Sequence, residues 1–310
     1  MKIAFLNKYQ NRVARGAETF VYELSQRLSK NHKVEVISKV NYLSLIKNKY
    51  DFIIPTNGRW QVVIVRIISW VKGIKMIVSG QSGIGWDDKV NLLAAPDVFI
   101  ALTKKAEKWA KKFNPLVRIE RIPNGVDLQK FSSDGESFET YLKRPVVLAA
   151  GAFTGQKRLD LIINAVSKLR DVSLLLAGSG GELKEKLESE GKRLLGNRFQ
   201  IISVPFDDMP KVYRAADVFT LPSASSEAFG NVYVEAMASG LPVVATDDEQ
   251  RREIVGQAGI LTDPTNIKEY SHALQKALDT DWGDIPRKQA EKFSWGAIAE
   301  KYEELFKKLF

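Results

Sequence analysis

Short apolar runs alternate with segments of helical period along almost the whole chain. In the first half, residues 3–6, 34–37, 52–54, 74–78, 98–101 and 118–122 read as buried strands. Apolar positions at helical spacing predict helices over about 17–28, 60–71 and 104–112. The second half repeats the pattern, with strands at 146–150, 173–177, 199–202, 218–221 and 243–245 and helices at 160–169, 182–190, 209–215 and 232–238. Alternation of this kind predicts parallel sheets covered by helices, here two α/β domains in succession. The polar, turn-rich stretch Ser132-Ser133-Asp134-Gly135-Glu136-Ser137 and the strand opening after Pro145 place the boundary between them. The expected division is 1–135, 136–294 and a terminal helix over 295–310. In that helix Trp295, Ile298, Tyr302, Leu305 and Leu309 share one stripe that must be buried.

Composition narrows the class. A chain of 310 residues with 45% hydrophobic positions can fill two cores of ordinary size. The longest apolar region, 60–78, is broken by Arg66, Lys72-Gly73 and Lys75, whereas a spanning helix needs about 20 mostly apolar residues. With no cysteine there is no disulfide or thiolate chemistry, and the short apolar start at 1–7 reads as a first strand, not a signal peptide. A cytoplasmic protein is expected. Charge is unevenly placed: residues 1–145 hold 25 Lys and Arg against 13 Asp and Glu, and residues 146–310 hold 21 against 24. The cationic half predicts an acidic partner, either an anionic membrane surface or an acidic acceptor, and no nucleic-acid-binding motif accompanies it. Within it, Lys104-Lys105-Ala106-Glu107-Lys108-Trp109-Ala110-Lys111-Lys112-Phe113 is a basic helix with aromatic residues. Together with Arg59, Trp60, Arg66, Trp70 and Lys72 it is a candidate to rest on anionic lipid at the inner face of a membrane. An amphipathic helix with Trp109 and Phe113 turned to the core is the competing reading.

Candidate chemistry concentrates in the second half. In Ser225-Ser226-Glu227-Ala228-Phe229-Gly230-Asn231-Val232-Tyr233-Val234-Glu235 the chain breaks at Gly230 and then starts a helix. Glu227 falls before that helix and Glu235 about one turn inside it. A helix start offers free N–H groups and a positive dipole end to an anion, and flanking carboxylates accept from hydroxyls. An anion and a polyol can therefore be held side by side. A second cluster, Gly151-Ala152-Phe153-Thr154-Gly155-Gln156-Lys157-Arg158, puts two cations at a glycine-bearing turn just before a helix, which suits a diphosphate.

These residues resemble the retaining, nucleotide-sugar-dependent glycosyltransferases of family 4 (group 1), most strongly from Val146 to Pro264. The likeness is clear again at Arg15-Gly16-Ala17-Glu18 and Pro123-Asn124-Gly125-Val126-Asp127. It implies the GT-B fold: two doubly wound Rossmann-like domains facing each other across a cleft, the C-terminal helix crossing back to the first domain. By the same resemblance Glu235 holds the ribose hydroxyls and Glu227 the donor sugar. Phe229, Gly230 and Asn231 supply backbone contacts, and Ser203-Val204-Pro205-Phe206, through Val204 and Pro205, lies along the base. Gly151, Lys157 and Arg158 meet the diphosphate, which Gly16 approaches from the first domain. The donor is a nucleotide diphosphate sugar, the acceptor a glycan or lipid-linked molecule, and no cofactor is needed.

Two departures stand out. Family members usually carry an arginine where this chain has Ala152, and a histidine after a central strand of the first domain. Here that region reads Gly80-Gln81-Ser82-Gly83-Ile84-Gly85-Trp86-Asp87-Asp88. Gln81 and Asp87 are the candidates to replace the histidine. The two histidines present, His32 and His272, read as solvated side chains, and Asp279-Thr280-Asp281 reads as a solvated turn, so no metal site is expected. In such transferases the leaving diphosphate accepts the acceptor's proton, and the enzyme contributes positioning and electrostatics. Glu227, Lys157 and Arg158 are then the catalytic candidates. The alternative is a catalytically impaired nucleotide-sugar-binding or scaffold protein of the same fold. An epimerase of that fold would need acid/base residues near the sugar, and this first domain is poor in them.

Overall fold

Continuous β-branched and leucine runs become strands because a parallel strand is covered on both faces and has no polar side to show. The computed structural model describes residues 1–8, 10, 16–56, 58–224 and 227–310. It divides into two units, Met1–Gly125 with Trp295–Phe310, and Val126–Ser294. The first runs β1 (Lys2–Leu6), α1 (Gly16–Leu28), β2 (Lys33–Ile37), α2 (Tyr42–Lys47), β3 (Phe52–Pro55), α3 (Arg59–Lys72), β4 (Lys75–Ser79), α4 (Trp86–Leu93), β5 (Val98–Ala101), α5 (Lys104–Phe113) and β6 (Arg118–Arg121). Its strands are all parallel in the order β2-β1-β3-β4-β5-β6. One side of the sheet packs Phe5, Phe20, Leu24, Phe52 and Ile100 together. The other packs Leu6, Ile53, Val62, Val65, Met76 and Leu92 under α2 to α5.

The second unit runs β7 (Val146–Ala150), α6 (Leu159–Val166), β8 (Ser173–Ala177), α7 (Lys184–Leu195), β9 (Phe199–Ile202), α8 (Met209–Arg214), β10 (Val218–Leu221), α9 (Asn231–Ala238), β11 (Val243–Thr246), α10 (Glu249–Val255), β12 (Gly259–Thr262), α11 (Ile267–Asp279) and α12 (Ile285–Glu291). Its parallel order is β12-β11-β10-β7-β8-β9. The last helix, α13 (Trp295–Leu309), belongs to the first unit: Trp295, Ile298, Tyr302, Leu305 and Phe306 are buried there against Phe20 and Phe52. Gly125 is required by that packing, since a Cβ on it would lie 2.4 Å from the Trp295 ring.

Several elements differ from the sequence reading. Helices α2, α4, α10 and α12 and strand β12 were not expected. Each is short, and α2 buries one residue, Leu45, so it carries no periodic signal; Asn41 starts it by accepting from the N–H groups of Leu43 and Ser44. The helix expected to reach residue 169 stops at Val166, where Lys168 and Leu169 switch to i−3 carbonyls. Residues 126–135, expected with the first domain, pack with the second. The Val126 N–H bonds Phe293 O at 2.8 Å, and the Arg287 guanidinium donates to the carbonyls of Leu128 and Phe131. The apolar region 60–78 resolves into α3 and β4, and among the described residues no helix is long and apolar enough to cross a membrane.

Candidate donor-binding site

In an open parallel sheet the loops leaving two adjacent strands diverge where the strand order reverses, and ligands bind outside the carboxyl ends at that point. In the second unit the reversal falls between β7 and β10, which are hydrogen-bonded neighbours. The loop after β7 carries Gly151, Lys157 and Arg158, and the loop after β10 carries Glu227 to Gly230. The fold thus brings both sequence clusters to one place. The two loops are joined by the Ala224 N–H to Gln156 O, 2.9 Å. Lys157 ends a single turn of 3₁₀ helix (Gly155–Lys157), lies against Gly151, and donates through Nζ to Glu227 Oε2. Both side chains are about four-fifths buried, 20% and 19% exposed.

Arg158 takes a different position from Lys157. Its backbone is left-handed, φ 48°, and its guanidinium donates to Pro222 O (2.6 Å), Ser223 O (3.2 Å) and Thr246 Oγ1 (3.3 Å). Two further side chains fasten the same loop. Arg251, wholly buried in α10, pairs with Asp248 and donates to Ser223 O (3.2 Å) and Ala224 O (3.0 Å). Gln250 Nε2 donates to Glu227 O (3.0 Å) and Phe229 O (3.2 Å). Three side chains therefore fix the backbone that presents Glu227, and sequence reasoning found neither Gln250 nor Arg251. A polar pair on the otherwise apolar stripe 250, 251, 254, 255 was the available signal.

Glu235 lies on α9, which starts after Gly230 in the left-handed region, φ 90°. A Cβ there would also sit 2.6 Å from the Tyr233 ring. Asn231 is the first helical residue, and Phe229 is buried with its ring edge-on to Phe293. Glu235 Oε2 accepts from the Tyr213 hydroxyl at 2.8 Å. Burial pushes its pKa up to about 7, against the opposing pull of the Tyr213 hydrogen bond and the Lys130 charge. Lys130 sits 4.4 Å over the Phe206 ring and bonds Asp207. Phe131 touches both Phe206 and Tyr213, with ring centres 6.0 and 5.8 Å apart. The segment with Val204 and Pro205 thus shares an aromatic cluster with the support of Glu235.

An unfolded chain releases the Glu235 proton near 4.5, the folded protein near 7, so stability falls as pH rises across that window and is level above it. The cost at neutral pH is about 3 kcal/mol. Glu235→Gln keeps an acceptor for Tyr213 and removes the ionisation. Its melting temperature relative to wild type is expected to climb between about pH 5 and pH 8; two parallel curves would contradict this.

In the first unit the candidates are dispersed. Gly16 opens α1, and Arg15 lies outside the described residues, as do Ser225 and Ser226. Gln81 is bound by its own side-chain amide to Asn124, 2.8 and 3.0 Å, and to Ser79 Oγ, 3.0 Å. Asp87 pairs with Arg59 at 2.6 Å on the surface. The buried acid of this loop is its neighbour Asp88, which accepts from Asn91 Nδ2 at 3.0 Å and is pushed up to about 7 by burial. His32 corrects the sequence reading: it is 8% exposed, bonded to Glu303 at 2.7 Å and edge-on to Phe306, because α13 covers it. His272 is exposed on α11. Asp279 accepts from Gln275 at a helix end and Asp281 from the Gly283 N–H in a turn. Among the described residues no three His, Cys, Asp or Glu side chains converge.

The paired doubly wound sheets and the terminal helix define the GT-B class. Residues 144–280 match the family model described as glycosyl transferases group 1, so the chain carries a group 1 glycosyltransferase domain. Its fold is shared by Anabaena HepE, solved with UDP and glucose, at a TM-score of 0.80 and 19% identity over 99% of this chain and 100% of that one. A phosphatidyl-myo-inositol mannosyltransferase of Mycobacterium tuberculosis is 30% identical over 65% of this chain and 57% of its own length. A GDP-mannose-dependent alpha-(1-6)-phosphatidylinositol monomannoside mannosyltransferase of Mycolicibacterium smegmatis is 29% identical over 55% and 50%. The chain spans about half the length of the curated relatives it matches.

Proposed function

We propose that this protein is a retaining glycosyltransferase, moving a sugar from a nucleotide diphosphate sugar to a glycan or lipid-linked acceptor without a metal ion. The single observation that carries the reading is the meeting of Lys157 and Glu227 across the reversal between β7 and β10. In this reading Lys157 exchanges Glu227 for the donor diphosphate, and Glu227 turns to a hydroxyl of the sugar. Backbone N–H groups at the start of α9 add to the anion site. Glu235 accepts from the ribose hydroxyls, and Val204 and Pro205 flank the base. Arg158 acts mostly through the loop it holds. As the bond from the anomeric carbon to the diphosphate oxygen breaks, the acceptor oxygen attacks the same face. Its proton passes to that departing oxygen, so no protein nucleophile is required. Lys157 offsets the charge that develops there. The first unit serves the acceptor, at the cytoplasmic face of a membrane.

The relatives' inositol-lipid acceptors support the lipid-linked class. The test is transfer from UDP- and GDP-sugars to a lipid extract, followed by determining the anomeric configuration of the product. Retention is expected, and inversion would overturn the mechanism. A second reading, a binding protein without turnover, is favoured by one observation: Gln81 is committed to Asn124 where the family histidine is missing. Donor binding with no transfer to any acceptor would select it.

A further inference from the structure

Helix α3 is apolar on both faces. Val62, Val65 and Ile68 are buried beneath α3, while Trp60, Ile64, Ile67 and Val71 recur at i, i+4, i+7 and i+11 on the opposite side. Trp60 and Val71 are each 79% exposed. The helix contains no acidic residue, and Arg59 and Lys72 close its ends. Its central Arg66 pairs with Asp97 and lies over the Trp70 ring, and among the described residues the outer apolar side chains stay exposed. The neighbours extend the patch: α2 adds exposed Leu43, and α4 adds exposed Trp86 and Leu93. Exposed apolar side chains gathered on three neighbouring helices mark an interaction site.

Beside the patch, on the same side of the sheet, lies α5. Its Trp109 turns inward and packs on the core, while the more exposed Phe113 stacks on that ring, centres 5.7 Å apart at 15°. Lys104, Lys108, Lys111 and Lys112 face outward. The surface therefore pairs an apolar ridge rich in tryptophan with a cationic strip, and the first 145 residues carry 25 Lys and Arg against 13 Asp and Glu. We propose that α3 is the membrane-seating helix, laying Trp60, Ile64, Ile67 and Val71 into the interfacial layer of an anionic bilayer while α5 contacts the headgroups. Tryptophan prefers that layer, apolar side chains enter it, and lysines near it gain from the negative surface potential. A second copy of the chain fits less well, because it would bring the same cationic strip against itself. The inference rests on the lipid-linked reading of the acceptor and places that acceptor's bilayer on a specific helix.

The experiment is flotation with vesicles of phosphatidylglycerol and phosphatidylcholine at low salt, beside vesicles of phosphatidylcholine alone. Wild type is expected to float with the anionic vesicles only. Ile67→Glu and Trp60→Ser, both at exposed positions, should each lower the bound fraction about tenfold with an unchanged melting temperature. Combined Lys104→Ala and Lys108→Ala should remove most of the salt sensitivity. Equal binding of wild type and both α3 variants overturns the assignment, as does equal binding to neutral vesicles. Sedimentation without lipid separates the other occupant: a dimer that dissociates on Ile67→Glu overturns the membrane proposal. A thermal shift with nucleoside diphosphates on the same samples keeps the outcomes distinct, since the α3 variants should retain it. A shift with no vesicle binding sinks the surface alone; vesicle binding with no shift sinks the donor-site reading alone.

Discussion

Lys157→Ala is expected to lower kcat/KM for the nucleotide-sugar donor by about 10²–10³. Among the described residues Lys157 donates to a carboxylate, that of Glu227, whereas Arg158 and Arg251 are engaged with the carbonyls of Pro222, Ser223 and Ala224. A charge-assisted contact to phosphate contributes about 1.5–3 kcal/mol, and truncation also leaves Glu227 unopposed beside an incoming diphosphate. Both effects act on the donor. The folded state should lose no more than about 1 kcal/mol, because each partner keeps some access to water. Lys157→Arg should recover part of the activity by restoring the charge with a different reach. Steady-state kinetics with the preferred donor checks this, and a Lys157→Ala rate within threefold of wild type would remove Lys157 from the chemistry.

Arg251→Ala should have the largest effect on stability. The side chain has no solvent exposure, pairs with Asp248 and donates to two carbonyls of the loop that presents Glu227. Removing one partner of a buried ionic pair typically costs about 3–5 kcal/mol, since the remaining charge and acceptors stay desolvated. Arg251→Met refills the volume and should recover part of that stability. It cannot donate to Ser223 O or Ala224 O, so donor affinity should remain low. Denaturant unfolding and ligand titration on both variants separate the roles. Full donor affinity in Arg251→Met would show that Arg251 fills space and leaves the loop's position to Arg158 and Gln250.

The fold was legible wherever burial was complete. Residues 146–150 and 218–221 read as strands because parallel strands covered on both faces have no polar alternation to obscure them. Helix α4 was not legible, because its inward positions include Asp88 and Asn91, two polar residues that satisfy each other. The extent of the second unit was hidden for a related reason. Val126 to Phe131 is held by the Phe293 carbonyl and the Arg287 guanidinium, partners more than 150 positions away in the chain. At the site, the two glutamates and Lys157 announced themselves by motif. Tyr213, Gln250 and Arg251 did not, since each works by supporting a group distant in sequence. The basic helix α5 drew attention through its composition, yet its Trp109 serves the core, Phe113 stays exposed, and the exposed tryptophans lie on α3 and α4.

The central claim is that the reversal between β7 and β10 builds a nucleotide diphosphate site from Lys157, Glu227 and Glu235. Calorimetric titration of UDP and GDP into wild type, Lys157→Ala and Glu235→Ala tests it most directly. One of the two nucleotides should bind wild type, and each substitution should weaken it by about 10–100-fold, consistent with losing one charged contact. Binding by wild type should also release protons near pH 7, as hydroxyl donors draw Glu235 into its ionised form. Equal affinity in all three proteins, or no binding of either nucleotide to wild type, would contradict the account.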